Sequence, residues 1–345
     1  MTRFFVTSAI IAVAVAVGYV AEAGGVPLPW VLGPLFVGAV TALSGVRLAQ
    51  SGLVRRGALV VVGTVVGHNF TSGILISLMW LMPWIVAFAI GSVVIAVSCA
   101  LLLQRWAGLD RRTAVLANLP GGVAEMAFLG GDTKGASTAI SMVQVLRVTS
   151  LVLALPFLLT LALDNGNTVI AATPLAGGVF EGRTVAILAL GYAVAWGMNR
   201  IGIKTAFLLG ALLVSILDSL TGFIGAGVPN WLFIAAQVAI GLALGARFER
   251  DEIRQIPRIV VVGFVVSLLT STIIIGAALV LAGPLGIPLP VMTLAAAPGG
   301  MAEMMITAAA LGLSIPEVVA FQTVRVLVVH LFAVPVVDRW VPPER

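Results

Sequence analysis

Two short motifs hold the residues of this chain that are best suited to bind or transfer an ion, and each motif occurs twice. The first reads Pro-Gly-Gly-x-Ala-Glu-Met and occupies residues 120–126 and 298–304. The second reads Gln-x-x-Arg and occupies residues 144–147 and 322–325. Both recur at an interval of 178 residues (120 to 298), and the same interval separates Gly63, Gly67 and Phe70 from Gly241, Gly245 and Phe248. A single register over that span indicates a duplicated half-chain.

Each half places one carboxylate and one arginine inside otherwise apolar sequence: Glu125 with Arg147, and Glu303 with Arg325. A carboxylate can take up a proton or coordinate a cation, and an arginine can neutralise it or hold an anionic substrate. A charge at the centre of a membrane helix costs about 2.5–3.5 kcal/mol on insertion scales, so each charge needs a partner.

Two interpretations of these charges are open. In the first, each glutamate caps its own half-helix and pairs with the arginine of the next segment, which is a purely structural role. In the second, the charges serve transport of a substrate, a coupling ion or a proton. We favour the second, because repeating a costly pair in both halves is hard to explain by stability alone when apolar residues would serve better.

The first motif predicts an interrupted helix. The interruption is formed by three residues in each half, namely Pro120, Gly121 and Gly122, and Pro298, Gly299 and Gly300. Proline lacks an N–H and disfavours a helical residue before it, and glycine adopts dihedral angles that other residues avoid. A helix should therefore end near Asn118 and a new one begin near Val123. Glu125, and likewise Glu303, then lies in a first turn, near the positive end of the helix dipole.

Amide side chains complete the predicted site. Gln144 and Gln322 lie three residues before the arginines and share their helix face. They could bond to the broken helix or line a substrate path, and the sequence leaves both roles open. Asn118 corresponds to Ala296, so any asymmetric substrate contact would begin there. The predicted substrate- or ion-binding residues are Glu125, Glu303, Arg147, Arg325, Gln144, Gln322 and Asn118.

The composition indicates a membrane protein. The chain is 60% hydrophobic and 10% charged, with a mean hydropathy of +1.16, whereas soluble proteins are about one quarter charged. The net charge is +5, but the arginines lie in short loops rather than in a basic soluble module, so no nucleic-acid partner is expected. Two histidines, one cysteine and no clustered carboxylates predict no metal site, no cofactor and no enzymatic activity.

Twelve apolar segments can be marked, most of them near the ~20 residues that cross a bilayer as a helix. They are 4–20, 28–45, 56–71, 83–104, 112–130 and 138–163 in the first half, and 184–199, 205–221, 231–247, 258–282, 290–311 and 316–337 in the second. Four basic loops mark the cytoplasmic side by the positive-inside rule. They contain Arg47, Arg55 and Arg56; Arg105, Arg111 and Arg112; Arg200 and Lys204; and Arg247, Arg250, Arg254 and Arg258. The loops at 21–27, 71–82, 221–230 and 283–290 contain no Lys or Arg.

Three apolar segments lie between the second and third basic loops, yet a chain that leaves and re-enters the cytoplasm crosses an even number of times. The interrupted segment 112–130 is the best candidate not to span, and 290–311 follows by duplication. Each half then crosses five times in opposite orientation, with both termini cytoplasmic. Parallel repeats with twelve crossings are the alternative.

The expected fold is an all-α integral membrane protein with two inverted repeats, residues 1–170 and 171–345. Each repeat has about five spanning helices plus one broken or re-entrant helical element, and residues 164–182 form the linker between them. This is the plan of secondary transporters whose broken helices place polar groups near the membrane midplane.

At its paired motifs the sequence resembles the membrane-bound AbrB duplication family of bacteria, and the resemblance covers nearly the whole chain. The family carries two labels, regulator of gene expression and ammonia monooxygenase. An ammonia monooxygenase would need more metal ligands than two distant histidines supply, and a DNA-binding regulator would need a basic soluble module. The architecture is also similar to that of sodium/proton antiporters and bile-acid carriers, which is a likeness of fold and transfers no substrate.

The sequence thus predicts an ion- or proton-coupled secondary transporter of the cell inner membrane for a small solute, and the arginines would suit an anionic one. A membrane protein with an indirect role in regulation of gene expression is the alternative. The expected partners are membrane lipid and the transported molecule or ion, and a homodimer is allowed.

Overall fold

The structure is a computed structural model that describes residues 2–46, 48, 51–130, 134–164, 177–203, 205–248 and 256–340. Helices and connecting turns account for this part of the chain, without a strand. The first half forms α1 (Thr2–Ala23), α2 (Pro29–Leu43), α3 (Gly52–Gly67), α4 (Ser72–Ala107), α5 (Arg111–Asn118), α6 (Val123–Leu129) and α7 (Lys134–Asp164). The second forms α8 (Gly182–Arg200), α9 (Ala206–Thr221), α10 (Asn230–Gly245), α11 (Pro257–Leu285), α12 (Leu289–Ala296), α13 (Met301–Ala310), α14 (Ile315–Val328), a π-helical turn (Val329–Ala333) and α15 (Val334–Trp340).

The all-helical, membrane-type architecture predicted from composition is confirmed. Within the described residues, five helical stretches are long and apolar enough to cross a membrane, namely α1, α4, α7, α11 and the continuous stretch Ile315–Val337. The number of crossings, the opposite orientation of the repeats and the sides of the termini stay predictions. The predicted boundary between residues 170 and 171 lies outside the described residues, as do Arg47, Lys204, Arg250 and Arg254.

The duplication is visible in the helix ends. Helices α2 and α9 end at Leu43 and Thr221, which are 178 residues apart (43 to 221). Helices α5 and α12 end at Asn118 and Ala296 with the same separation (118 to 296). The two halves therefore encode the same order of helices and breaks.

One predicted loop is helical. Residues 71–82 were expected to connect the third and fourth apolar segments, but α4 begins at Ser72 and continues through Pro83 to Ala107. The stretch is apolar and contains no other proline, so nothing in it opposes a helix. Pro83 removes one backbone donor, and long membrane helices tolerate such a proline because other groups satisfy the freed carbonyl.

The chain forms two compact units, and each unit takes segments from both halves of the sequence. Unit 1 consists of Met1–Met79, Pro156–Arg247 and Met305–Pro316, and unit 2 of Trp80–Leu155, Phe248–Met304 and Glu317–Arg345.

In unit 1, α2 packs on α10 and α3 packs on α9. Because α9 is the duplicate of α2 and α10 is the duplicate of α3, these are equivalent contacts between the two halves. Glycine allows the close approach. A Cβ at Gly63 would lie 2.5 Å from the carbonyl oxygen of Leu208, and one at its duplicate Gly241 would collide with that of Val31. Small residues at helix contacts are typical of membrane proteins.

In unit 2, one hydrophobic core surrounds the first interrupted helix. Leu116, Leu119 and Met126 pack there with Val143 of α7 and Val266 of α11. Val329, Ala333 and Val337 close the same core from the end of the chain. Elements of both halves therefore hold the first interruption in place.

Candidate functional site

Both interruptions occur where the proline motif predicts them. The first break is residues 119–122, between the end of α5 at Asn118 and the start of α6 at Val123. The second break is residues 297–300, between Ala296 and Met301. Leu119 (φ −60°, ψ 135°) and Ala297 (φ −54°, ψ 125°) have extended backbones, as expected for residues that precede proline. The predicted breaks at Pro120–Gly122 and Pro298–Gly300 are confirmed as features of the backbone.

A glutamine replaces the amide hydrogen that each proline lacks. In an uninterrupted helix the N–H of residue 120 would bond to the carbonyl of residue 116. Pro120 cannot do so, and Nε2 of Gln144 donates to the Leu116 carbonyl instead, at 2.9 Å. In the second half, Nε2 of Gln322 donates to the Leu294 carbonyl, also at 2.9 Å. Of the two roles left open for the glutamines, the structure shows the hydrogen bond to the broken helix.

An arginine binds the remaining carbonyls at the end of each first half-helix. The guanidinium of Arg147 donates to the carbonyls of Asn118 at 2.8 Å and Leu119 at 3.3 Å. Arg325 donates to Ala296 at 2.8 Å and Ala297 at 3.1 Å, and also to the Oε1 of Gln322. The negative end of a helix dipole favours a cation at this position.

The glutamates begin the second half-helices. Glu303 lies in the first turn of α13, and its half-buried carboxylate folds back over Gly300, where any side chain would collide with it. Glu125 is the third residue of α6, the same position in the first half. Its side chain lies outside the described part of the structure, so the expected contact between Glu125 and Arg147 stays a prediction.

Asn118 links the first break to long helices of both halves. Its Nδ2 donates to the carbonyl of Ala96 in α4 at 2.7 Å and to Oγ1 of Thr270 in α11 at 3.1 Å. Asn118 is fully buried. Asn118, whose counterpart in the second half is Ala296, therefore connects the first break to α4 and α11 by hydrogen bonds.

The first interrupted element is a hairpin. Arg112, near the start of α5, donates from Nε and Nη2 to the carbonyl of Leu129, the last residue of α6, at 3.3 and 3.0 Å. Both half-helices are about 10–12 Å long at 1.5 Å per residue. If they followed one another in a straight line, these two residues would be roughly twice that distance apart. The ends of the element therefore lie side by side.

Both breaks belong to unit 2, and each is bound by a buried arginine. Each side chain is only 2% exposed. Among the described residues, Nε of both arginines and Oε1 of Gln144 are buried without a hydrogen-bond partner. Unit 2 thus contains two buried positive charges that retain a free donor each.

Sequence comparison assigns the chain to a family. Residues 30–341 match the family described as transition state regulatory protein AbrB. The chain belongs to the AbrB family. A Bacillus subtilis (strain 168) protein named "Uncharacterized protein YhjN" is 28% identical over 342 residues, covering 92% of this chain and 89% of that protein. "Putative regulator AbrB" of Escherichia coli (strain K12) is 23% identical over 328 residues, covering 91% and 90%.

Two contacts in this AbrB-family protein were not predicted. Arg112 was assigned only to a basic loop, and nothing in the motif indicates that it would bond to a carbonyl 17 residues away. Thr270 had a usable signal, because Ser267, Thr270 and Ser271 form a polar stripe at helical spacing in an apolar helix. All three are buried.

The third unpredicted contact lies in unit 1. Nε2 of His68 is 3.3 Å from Oδ2 of Asp218, and Oδ1 of Asp218 accepts from the backbone amides of Ile224 and Gly225. Neither His68 nor Asp218 is among the site residues predicted from the sequence.

Proposed function

We propose that this AbrB-family protein is a secondary transporter of the cell inner membrane that couples a small solute to a proton or another ion. The observation that carries the proposal is the pair of interrupted helices in unit 2, each with a buried arginine at one side of the break and a glutamate at the other. Interrupted helices with this arrangement place ion and substrate sites inside membrane transporters.

The hydrogen bonds from the arginines to backbone carbonyls support different roles for the arginines and the glutamates. Because Arg147 and Arg325 bind the ends of α5 and α12, they are held in place whether or not a glutamate is charged. Glu125 and Glu303 are then the groups whose charge can change by taking up a proton or a cation. In this proposal, protonation of a glutamate alters the balance of charge at the break and couples ion to solute.

The two arginines favour an anionic solute. Each of them keeps a buried Nε–H without a hydrogen-bond partner. An anion bound beside such a group would pair with its positive charge and accept a hydrogen bond from the free Nε–H. A small carboxylate fits this chemistry, and we propose it as the first solute class to screen.

The proposal is tested with purified protein in liposomes that contain trapped pyranine, a fluorescent pH indicator. Small carboxylates, amino acids, Na⁺ and K⁺ are imposed one at a time as gradients, and the rate of internal pH change is measured. Glu125→Gln with Glu303→Gln should lower a solute-driven rate at least tenfold. Glu317→Gln is the matched control, because Glu317 also lies in the first turn of a helix but follows no break.

Two results would count against the proposal. The first is a wild-type rate equal to that of empty liposomes for every gradient. The second is a double glutamate variant that moves solute and protons as fast as the wild type.

A second candidate function is an indirect role in regulation of gene expression. The names of the family and of the Escherichia coli relative support it. Regulation that does not depend on transport would persist in a strain carrying Glu125→Gln and Glu303→Gln. Measuring transcript levels in that strain, beside a deletion strain, separates the two functions.

A further inference from the structure

The helix that carries each buried arginine is distorted at equivalent positions in the two halves. In the second half the π-helical turn Val329–Ala333 follows Arg325, and the N–H of Val334 bonds to the carbonyl of Val329, five residues earlier rather than four. The duplicate of Val334 is Pro156 (156 to 334), which lies inside α7 and has no N–H. Both helices therefore lack the regular α-helical bond at this point. Such π-helical turns are frequent at functional sites.

A histidine occupies the distorted turn in the second half, where the first half has valine. His330 corresponds to Val152 (152 to 330). It lies in the stretch Ile315–Val337, which is long and apolar enough to cross a membrane, about 6 Å along the helix from the midpoint at Val326. An ionisable side chain at this depth is costly and is typical of proton and ion pathways. Because Val152 fills the duplicate position, the distortion itself does not require a histidine.

One hydrogen bond fixes the tautomer of this ring. Nδ1 of His330 is 2.6 Å from the carbonyl oxygen of Val326, one turn earlier in the same helix. A carbonyl oxygen only accepts, so Nδ1 carries the hydrogen and donates it. In the neutral ring the lone pair is then on Nε2, which is the atom that takes up a proton. The ring can therefore change its charge while its bond to Val326 stays in place.

Positive residues outnumber negative ones on the helices of this core. Val329 and Ala333 share it with residues of α4, α5, α6, α7 and α11. The charged residues of the histidine's own segment are Glu317, Arg325, Asp338 and Arg339, and those of the other helices are Arg105, Arg111, Arg112, Glu125, Lys134, Arg147, Asp164 and Arg258. A proton on His330 adds to this positive charge, whereas an anionic solute would offset it.

We propose that His330 is a proton-binding residue, in which Nε2 accepts one proton while Nδ1 keeps its bond to the Val326 carbonyl. Proton binding by His330 does not depend on the proposed function. Its role in coupling, beside the glutamates, does rest on that function. A proton at His330 and an anionic solute at the arginines have opposite charges, so their binding should be cooperative. Val152 cannot take up a proton, so the two halves differ in this respect.

The test is a pH titration of the full chain by nitrogen NMR with selectively labelled histidine. The chain contains two histidines, His68 and His330, so two sets of ring signals are expected. The set missing from His330→Asn belongs to His330, and the set that remains in His68→Gln gives the same assignment independently. At about pH 8 Nδ1 should carry the one ring hydrogen of His330, and at about pH 5 both nitrogens should carry one. A ring that keeps one protonation state over this range, or a neutral ring protonated on Nε2, would overturn the proposal.

His330→Asn is also the matched variant for the role in coupling. The side-chain amide nitrogen of asparagine stands close to the position of Nδ1 in histidine, so it can keep the bond to Val326, but it takes up no proton. In liposomes with trapped pyranine, the solute-driven rate should depend on pH in the wild type and lose that dependence between about pH 5 and 8 in His330→Asn. His68→Gln, which removes the other histidine, should keep it.

The two measurements separate the proton site from the transport function. An unchanged pH dependence in His330→Asn would overturn the role of His330 in coupling. If His330 titrates in a protein that moves no solute, the proton site stands and the transport function alone fails.

Discussion

Gln322 donates a hydrogen bond to the carbonyl of Leu294 at 2.9 Å, and this is the carbonyl that Pro298 leaves without its helical donor. The same relation links Gln144 to Leu116 in the first half. A side chain from the following helix therefore completes the end of each interrupted helix. Glutamine and arginine complete the end of the first half-helix, and the proposed change of charge is assigned to the glutamate at the start of the second.

We expect Gln322→Leu to destabilise the protein more than Gln144→Leu. Gln322 holds two carbonyls at 2.9 and 3.0 Å, and leaving a buried carbonyl unpaired costs about 1–3 kcal/mol. Gln144 holds its second carbonyl only at 3.5 Å, and its own Oε1 is buried without a partner, so leucine also removes an unfavourable group. The midpoint of thermal unfolding in detergent measures the difference in stability. Gln104→Leu, at a half-buried position, is the control. Equal losses for the two variants would contradict this account.

Pro298→Ala should reduce the cost of Gln322→Leu. Alanine supplies the N–H that proline lacks and also removes the restraint on Ala297, so the helix can extend by one turn and the Leu294 carbonyl can regain a donor when the glutamine is gone. A double-mutant cycle measured by thermal unfolding should show a favourable coupling of about 0.5–1.5 kcal/mol, the net contribution of one hydrogen bond. Additive losses would mean that the glutamine does not replace the missing amide.

The breaks could be predicted from the sequence because proline and glycine act on their immediate neighbours. Asn118 and Val123 were therefore placed correctly as helix ends, and the duplication carried the prediction to the second half. The helical stretch at 72–82 was missed for a related reason. Residues 71–82 contain no Lys or Arg and were for that reason predicted to form a loop. Charge patterns, however, mark the sides of a membrane and carry little information about helix ends.

The contacts of the buried polar groups could not be predicted. The sequence identified Arg147 and Arg325 as charges in need of partners, and a carboxylate was the obvious choice. The structure gives both arginines backbone carbonyls, which every residue possesses and no motif reveals. The hydrogen bond from Arg112 to the Leu129 carbonyl, which closes the hairpin, could not be predicted for the same reason.

Arg112→Gln should loosen the first hairpin. The variant removes a charged donor from the Leu129 carbonyl, and hydrogen bonds to charged groups contribute about 1.5–3 kcal/mol. The backbone amides of α6 should then exchange with deuterium at least about tenfold faster, since 1.4 kcal/mol corresponds to a factor of ten. Arg111→Gln, at the exposed neighbouring position, should leave the exchange unchanged. Unaltered exchange in Arg112→Gln would show that another contact closes the hairpin.

Gly63→Ala should destabilise unit 1, whereas Gly276→Ala should not. The new methyl group at position 63 would lie 2.5 Å from the Leu208 carbonyl oxygen and 3.1 Å from Cβ of Ala211. Such overpacking costs about 1–3 kcal/mol. Nothing lies within 4 Å of the corresponding position at Gly276, so alanine there should stabilise α11 by up to about 1 kcal/mol. Chemical unfolding in mixed micelles compares the two variants, and a loss at both positions would contradict the packing argument.

Asn118→Ala and Thr270→Val should be coupled, because their side chains bond to each other in the core of unit 2. The chain tolerates alanine at the duplicate position, Ala296, so the variant should fold. Ser92 is the duplicate of Thr270 (92 to 270), and its hydroxyl bonds within its own helix to Ala89 at 2.8 Å. A cycle of Asn118→Ala with Thr270→Val should therefore show an interaction of at least about 0.5 kcal/mol, while the cycle with Ser92→Ala should be additive. If both cycles were additive, Asn118 would not bridge the first break to the second half, and the asymmetry at that position would be open to a substrate.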